Sequence, residues 1–364
     1  MSASVWHRPT SDLVTTQTDV AIIGAGITGL SLAFWLRKLK PALKVVIIER
    51  DQVGSGASGR NAGFVTAGST AYLAHLVRQD GVEKALAHWD IKQESLRLMR
   101  EELFGHFSEL EFSAEGSTTL YREQESLEQT HQLLSPFVKL QQVPVSQLQQ
   151  QGLNGFVGGL QFLQEGSLHP IKLLRALQTE LQQQGVTFIS GQAVAWIEQH
   201  RLHLERDAVT APKIFIALNG YAAQFQSQLG ELVKPKRAQM VALEGQAAKL
   251  RGNFYDPSQR VYFRRHLDGT ILVGGLRLLD EQHENSDFDK VTQVIQAGLE
   301  SYAKNALGAS QVLARWSGVM GFTADEKPLI KDISPGITFV GGYSGHGMGM
   351  AFGFARKAVL EFLG

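Results

Sequence analysis

The sequence predicts an α/β protein, α+β when the whole chain is counted: a parallel sheet assembled from separated blocks, with a mixed-sheet domain inserted between them. Three observations predict it. Val20-Ala21-Ile22-Ile23 is an apolar run that ends on glycine, and a helical pattern leads from it to a second apolar run, Val45-Val46-Ile47-Ile48. Parallel-strand signals recur near 170–220 and near 337–364. The stretches between these blocks read as a mixed sheet with helices.

Taken in order, the first run reads as a buried parallel strand. Residues 26–38 read as a helix with Leu30, Ala33, Phe34 and Leu36 at its apolar positions. The second run is a strand closed by Glu49, which completes a β-α-β unit of about 30 residues. Residues 51–70 are rich in Gly, Ser and Ala, a long loop of the kind that usually carries function. Helical spacing follows over 82–103, and the Gln, Ser and Glu of 120–150 read as surface of an inserted region. A helix over 171–183 stops at Gly185. Residues 186–189, 193–198 and 213–217 read as strands. Residues 236–245, 260–265 and 270–274 read as antiparallel strands, with Asp268-Gly269 as a hairpin turn. A helix over 287–306, a strand over 337–340 and a last helix over 347–363 complete the chain, with no internal repeat or coiled coil.

Composition narrows the function classes. The 364 residues suggest two domains, and 43% hydrophobic residues can build a sizeable core. Net charge is +0, so the whole chain lacks the basic footprint of a nucleic-acid or anionic-lipid partner. There is no cysteine, which excludes disulfides, thiolate metal sites, a cysteine nucleophile and a cofactor tethered through sulfur. No metal site is expected. Residues 1–18 lack the apolar core of a signal peptide, and residues 21–36 are too short and glycine-broken for a span of ~20 residues. A cytoplasmic location without a membrane span is expected.

The chemistry begins at Gly24-Ala25-Gly26-Ile27-Thr28-Gly29. Gly24 permits a tight turn after the strand, Gly26 lets backbone approach a pyrophosphate, and Gly29 lets helix and strand pack closely. The free N–H groups of the helix start attract phosphate. Glu49 lies 20 residues past Gly29, where a carboxylate takes ribose hydroxyls and repels a 2′-phosphate. Dinucleotide binding is predicted, against a glycine turn without a ligand. The stretch Gly54-Ser55-Gly56-Ala57-Ser58-Gly59-Arg60-Asn61-Ala62-Gly63 follows directly. NAD has no need of it, whereas FAD extends its second phosphate and its ring past the first turn; the alternative is a surface loop with a solvated Arg60. The third motif, Gly341-Gly342-Tyr343-Ser344-Gly345-His346-Gly347-Met348-Gly349-Met350, joins a strand to the last helix. Its helix N-terminus suits the negative charge of a reduced flavin, a contribution of ~0.3–1 kcal/mol. His346 is a candidate donor there or a satisfied structural histidine, and the two methionines read as packing.

These three motifs, in this order, resemble the D-amino-acid-oxidase-like (DAO) superfamily of FAD enzymes, which includes glycine, sarcosine and γ-glutamylputrescine oxidases. Further similarities are Ser167-Leu168-His169-Pro170, Ile216-Ala217-Leu218-Asn219-Gly220-Tyr221, Lys234 to Met240, and Trp316 to Asp325 with Lys327-Pro328-Leu329-Ile330. Ser58-Gly59-Arg60-Asn61, the Asn219 turn and Ser344-Gly345-His346-Gly347-Met348 look closest to the γ-glutamylputrescine oxidase branch. The resemblance implies a discontinuous Rossmann-type FAD domain of the glutathione-reductase-like, DAO type, over 1–90, 160–235 and 310–364, with 91–159 and 236–309 as the substrate domain. It implies that Gly24, Gly26, Ile27, Thr28, Gly29, Glu49 and Arg50 hold the ADP half of a non-covalent FAD. Ser58, Arg60, Asn61, Ala62 and Gly63 would line pyrophosphate and flavin, Val194 the adenine side, and Ala217 and Asn219 a second strand end. Gly318, Gly342, Ser344, Gly345, His346, Gly347 and Met348 would line the ring.

One departure bears on substrate. Amino-acid-oxidising members of the family place an arginine in a Trp-x-Gly-x-Arg segment to clamp a carboxylate, and this chain has Met320 there. A thioether does not replace a bidentate guanidinium. An amine is therefore the expected substrate, oxidised by hydride transfer to flavin N5 through an imine to an aldehyde. The other readings are an amino-acid oxidase or dehydrogenase that feeds a partner, and an NAD-linked or silent binding protein. Tyr262 and Arg264 share a strand face and are candidates for a remote polar or acidic group, against a packed tyrosine and a surface arginine. His346, His169 and Tyr262 are the candidate catalytic groups. Expected partners are a small-molecule amine and O2, with no nucleic acid; self-association is left open.

Overall fold

A computed structural model describes residues 14–245 and 249–364. The N-terminal stretch read for targeting therefore lies mostly outside the described residues. Six strands form the first sheet, in the order Leu329–Ser334, Ile337–Gly341, Lys213–Ile216, Val20–Ile23, Val45–Glu49 and Thr187–Ser190. All neighbours are parallel except the first pair. The apolar runs of the four inner strands are buried on both faces, because the helices Ile27–Leu39, Pro170–Gln183 and Gly347–Leu363 pack one side while Leu202, Val209 and Leu229 join the core of the other. The expected strand at 193–198 does not enter this sheet. It belongs to a four-stranded sheet with Val14–Gln17, Arg201–Leu204 and Asp207–Thr210.

The second large sheet has eight strands, in the order Gln311–Phe322, Lys234–Glu244, Ile271–Gly275, Val261–Arg265, Asn253–Asp256, Ser117–Tyr121, Gly158–Phe162 and Gln141–Pro144. It is mixed, since Asn253–Asp256 and Ser117–Tyr121 run parallel between antiparallel neighbours. The 120–150 region is thus more than surface, for it supplies an edge strand with Val143 buried in a core beneath helix Gln293–Leu307. Turn chemistry works as expected at Asp268-Gly269, where Gly269 has φ +95° and the Asp268 carboxylate accepts from the Thr270 N–H at 2.9 Å.

Three element boundaries differ from expectation. Helix Thr70–Asp80 is hidden at the end of the glycine-rich loop, capped by Ser69, whose hydroxyl accepts from the Tyr72 N–H at 3.0 Å. Gly81, at φ +82°, breaks the chain before helix Val82–Met99, which ends in a π-turn over Arg100–Phe104. The helix expected over 287–306 begins only at Gln293, because Asp287 and Asp289 are engaged in tertiary bonds.

Candidate active site

A cavity of about 1350 Å³ runs from the carboxyl ends of Val20–Ile23, Val45–Glu49 and Lys213–Ile216 to the face of the eight-stranded sheet. Ordinary small-ligand pockets span roughly 300–1,000 Å³, so this one has room for a dinucleotide and a substrate together. Its position obeys the rule that ligands of open α/β sheets bind beyond the carboxyl ends of the strands.

Gly24, Gly26, Ile27, Thr28, Glu49 and Arg50 all line it. Gly26 is the N-cap of helix Ile27–Leu39 and has no side-chain cap bond. A Cβ on Gly26 would meet Ser58 Oγ at 2.9 Å, and Ser58 Oγ itself accepts from the Ile27 N–H at 2.9 Å. Gly24 has φ +103°, and a Cβ there would lie 2.9 Å from the Ala217 carbonyl oxygen. Gly29 does not reach the cavity; it is the packing glycine, where a Cβ would overlap the Gly24 carbonyl oxygen. The Glu49 carboxylate accepts from the N–H of Ala25 at 2.8 Å and of Asp51 at 3.0 Å. It thereby locks the turn, and a carboxylate with about four acceptor sites keeps lone pairs for a ligand. Arg50 sits further out, 3.1 Å from Asp51 and over the Tyr221 ring. Free helix N–H groups, a cradle that a Cβ would fill and a carboxylate on the next strand fit a dinucleotide diphosphate.

The second motif folds mostly on itself. Asn61 Nδ2 donates to the carbonyls of Ala57 at 3.1 Å and Ser58 at 2.7 Å, while its Oδ1 accepts from the Gly63 N–H at 2.7 Å. Arg60 donates to the carbonyls of Ser55 and Ser317 and pairs with Asp289. Ser58, Arg60, Asn61 and Ala62 line the cavity, and Gly63 does not: its missing Cβ makes room for the Leu168 carbonyl. Val194, Ala217, Asn219 and Gly318 line it as well. Asn219, at φ +45°, accepts from the Gly342 N–H at 2.9 Å through Oδ1, so Gly342 serves the turn behind the wall.

Ser344, Gly345, His346, Gly347 and Met348 bring the second helix N-terminus to the cavity, with His346 as its N-cap. The His346 ring lies 4.8 Å from the Tyr72 ring, centroid to centroid. Burial, then the neighbouring Lys92 and His88, hold the imidazole well below its usual pKa and therefore neutral. Tyr72 was not legible as a site residue, since the helix that carries it was hidden. Tyr343, which accepts from the Thr28 hydroxyl at 3.1 Å, was likewise missed.

On the opposite wall stand Met240, Tyr255, Tyr262, Met320 and Phe322. Gly274 opens the space in which Tyr262 and Met240 meet, because a Cβ there would strike both. Burial raises the Tyr262 phenol to about 12, so it stays a neutral donor. Arg264 shares that strand face but lies deeper, outside the cavity and 4% exposed. It donates to the carbonyls of Ala62 and Leu168, and burial lowers its pKa to about 10. The guanidinium thus braces two backbone carbonyls and does not line the cavity. Arg264→Met should leave both carbonyls unpaired and cost about 2–3 kcal/mol in a denaturant melt, without a selective rise in KM. His169 is also outside the cavity: it caps helix Pro170–Gln183, its Nδ1 accepting from the Lys172 N–H at 3.4 Å.

Comparison with known proteins agrees with this geometry. The family model described as FAD dependent oxidoreductase, DAO, matches residues 19–359. The "Probable oxidoreductase OrdL" of Rhizobium meliloti (strain 1021) is 27% identical over 96% of this chain and 84% of its own. The γ-glutamylputrescine oxidoreductase of Escherichia coli (strain K12) is 22% identical over 91% of this chain and 80% of its own. Among solved structures, L-proline dehydrogenase from P. horikoshii superposes with TM-score 0.80 at 16% identity, covering 96% of this chain and 94% of the other. Glycine oxidase from Bacillus cereus ATCC 14579 does so with TM-score 0.77 at 16% identity, covering 94% of each. No helix among the described residues is long and apolar enough to cross a membrane. The glycine cradle, the strand-end carboxylate and the match over nearly the whole chain lead to one conclusion: this protein belongs to the DAO family of FAD-dependent oxidoreductases.

Proposed function

We propose that the protein oxidises an amine to an imine, which water hydrolyses to an aldehyde and ammonia or a smaller amine, with O2 as the final acceptor. FAD, when bound, supplies the hydride acceptor at flavin N5. In this reading the cradle of Gly24, Gly26 and Glu49 holds the ADP half, and the segments 54–63 and 342–348 hold the rest. The six-stranded sheet belongs to the FAD domain and most of the eight-stranded sheet to the substrate domain.

One observation carries the choice of amine over amino acid. Met320 lines the cavity, and by the sequence resemblance it stands where the family carries its carboxylate clamp; Arg264 is spent on backbone carbonyls. Of the other arginines on the lining, Arg60 is paired with Asp289, Arg277 lies 3.3 Å from Glu281, Arg50 sits beside Asp51, and Arg260 is solvent-exposed just before strand Val261–Arg265. The neutral imidazole of His346 and the protonated phenol of Tyr262 offer no charge to a carboxylate. They suit a free-base amine, whose nitrogen lone pair assists loss of hydride from the adjacent carbon. The aromatic and thioether wall of Met240, Tyr255, Met320 and Phe322 orients the carbon chain and excludes water.

Mixing the protein anaerobically with a substrate panel tests this. Acylated diamines and related amines should bleach the visible flavin absorbance, whereas glycine, sarcosine and D-alanine should not. Bleaching by amino acids alone would overturn the amine reading in favour of an amino-acid oxidase or dehydrogenase. Met320→Arg should raise kcat/KM for a small amino acid by roughly 10- to 100-fold, the worth of a charged bidentate bond of about 1.5–3 kcal/mol.

A further inference from the structure

Helix Val82–Met99 carries a lysine that the proposed reaction does not use. Lys92 is 1% exposed, and its Nζ has no hydrogen-bond acceptor among the described residues. An ammonium buried without a partner is costly, so a chain that keeps one there invites a reason. What Nζ meets is the face of the Tyr72 ring, 4.1 Å from its centroid. Tyr72 lines the cavity, stacks at a tilt of 35° on His346, and its hydroxyl lies 3.3 Å from His88 Nε2. Tyr72 therefore contacts both Lys92 and His346 and links the buried lysine to the cavity surface.

The charged and titratable neighbours come from every element around these three residues. Tyr72 and Asp80 belong to helix Thr70–Asp80, His88 to the lysine's own helix, and His346 to the turn before the last helix. Glu165 precedes strand Gly166–Ser167, while Asp325, Glu326 and Lys327 lie in the turn after Gln311–Phe322. Glu165 accepts from the Thr66 hydroxyl at 2.6 Å and from the Ala67 N–H at 2.9 Å, so it acts on Lys92 through its field and not through a bond. Burial lowers the Lys92 pKa to about 7, against the opposing pull of Glu326 and Glu165. The lysine is thus charged in the acidic range, where a histidine would otherwise take up a proton.

We propose that Lys92 is a positioning residue for the substrate: its side chain braces Tyr72 against His346, and its positive field keeps a proton off the imidazole that faces the bound amine. A protonated His346 would repel an ammonium and deny its lone pair to a free-base amine. Burial disfavours that state first, and the Lys92 charge adds to it below neutral pH. The consequence for substrate rests on the amine reading above; the effect on His346 does not.

The test is histidine 15N NMR of the holoenzyme across pH, with His346 assigned by its loss in His346→Gln. In the unmodified protein His346 should stay neutral at pH about 5.5, where an ordinary histidine is mostly protonated. Lys92→Met should raise its midpoint by about one pH unit, a tenfold change in proton affinity, and Lys92→Arg should restore it. In step, Lys92→Met should raise the amine KM about tenfold at acidic pH and leave kcat nearly unchanged. Equal His346 midpoints in Lys92→Met and the unmodified protein overturn the proposal, as does Lys92→Arg behaving like Lys92→Met. If Lys92→Met does not fold, the unmodified holoenzyme still decides: the His346 nitrogens should shift through a second inflection near the lysine's midpoint of about 7, and their failure to do so overturns it. Should the His346 midpoint move while no amine bleaches the flavin, Lys92 keeps its role and the amine reading falls.

Discussion

Gly29→Val is expected to lower FAD occupancy by ten- to a hundredfold, about 1.4–2.7 kcal/mol of binding free energy. The side chain would not touch the cofactor. Its Cβ would overlap the Gly24 carbonyl oxygen and would also crowd Ile22 Cγ2 at 3.3 Å. The helix Ile27–Leu39 must then move off the strand Val20–Ile23, taking the Ile27 N–H and the Gly24 turn with it. Overpacking of this kind costs about 1–3 kcal/mol in its own right, so the melting temperature should fall as well. The measurement is the ratio of visible flavin absorbance to protein absorbance after dialysis. Gly105→Ala is the control, since nothing lies within 4 Å of a Cβ there. Retention of flavin by Gly29→Val at the control's level would show that the first motif does not hold the cofactor.

The second large effect lies in the mixed-sheet region. Glu284→Ala should destabilise the protein by about 3–5 kcal/mol, the cost of leaving a buried cation without its partner. Arg237 is 5% exposed and Glu284 0%. The guanidinium donates to Glu284 Oε1 at 2.8 Å and Oε2 at 3.1 Å, and Gln239 Nε2 adds a bond of 2.8 Å to Oε1. Arg237 also donates to the carbonyls of His283 and Phe288. This network ties the segment bearing Asp287, Phe288 and Asp289 to strand Lys234–Glu244, and those three residues line the cavity. A shift of the urea midpoint checks the stability loss, and weakened FAD retention checks the loosened segment. The double replacement Arg237→Met with Glu284→Leu should recover most of the stability, because it removes both buried charges at once. A single replacement as mild as a surface mutation, within about 0.5 kcal/mol, would show that the pair contributes little.

Much of the cofactor half was legible in the chain itself. The turn after Val20–Ile23 needs glycine for backbone reasons, the carboxylate must close the next strand, and both signals act over a few residues. The last helix was legible at both ends, because an apolar strand runs into a glycine turn and then into an apolar helical stripe. Arg264 shows where such reasoning stops. Period-two spacing places it on the Tyr262 face, and so it is, but spacing says nothing about depth. Tyr262 reaches the cavity, while Arg264 meets carbonyls from residues 62 and 168. His169 is a related case: the type of side chain suggests chemistry, but its Nδ1 caps a helix end and the residue does not line the cavity. Glu284 lies in a polar stretch to which the sequence assigns no element, and only the fold brings Arg237 over it.

The sequence by itself determined the cofactor class, the β-α-β cradle and the glycine positions that shape it, because strand, turn and helix there are neighbours along the chain and their demands are local. The tertiary structure alone decided which polar side chains face open space and which are spent inside. Those outcomes depend on groups far apart in the chain, such as Tyr72 and His346 or Arg264 and Ala62. Burial and partner choice are properties of packing, and no window of sequence contains them.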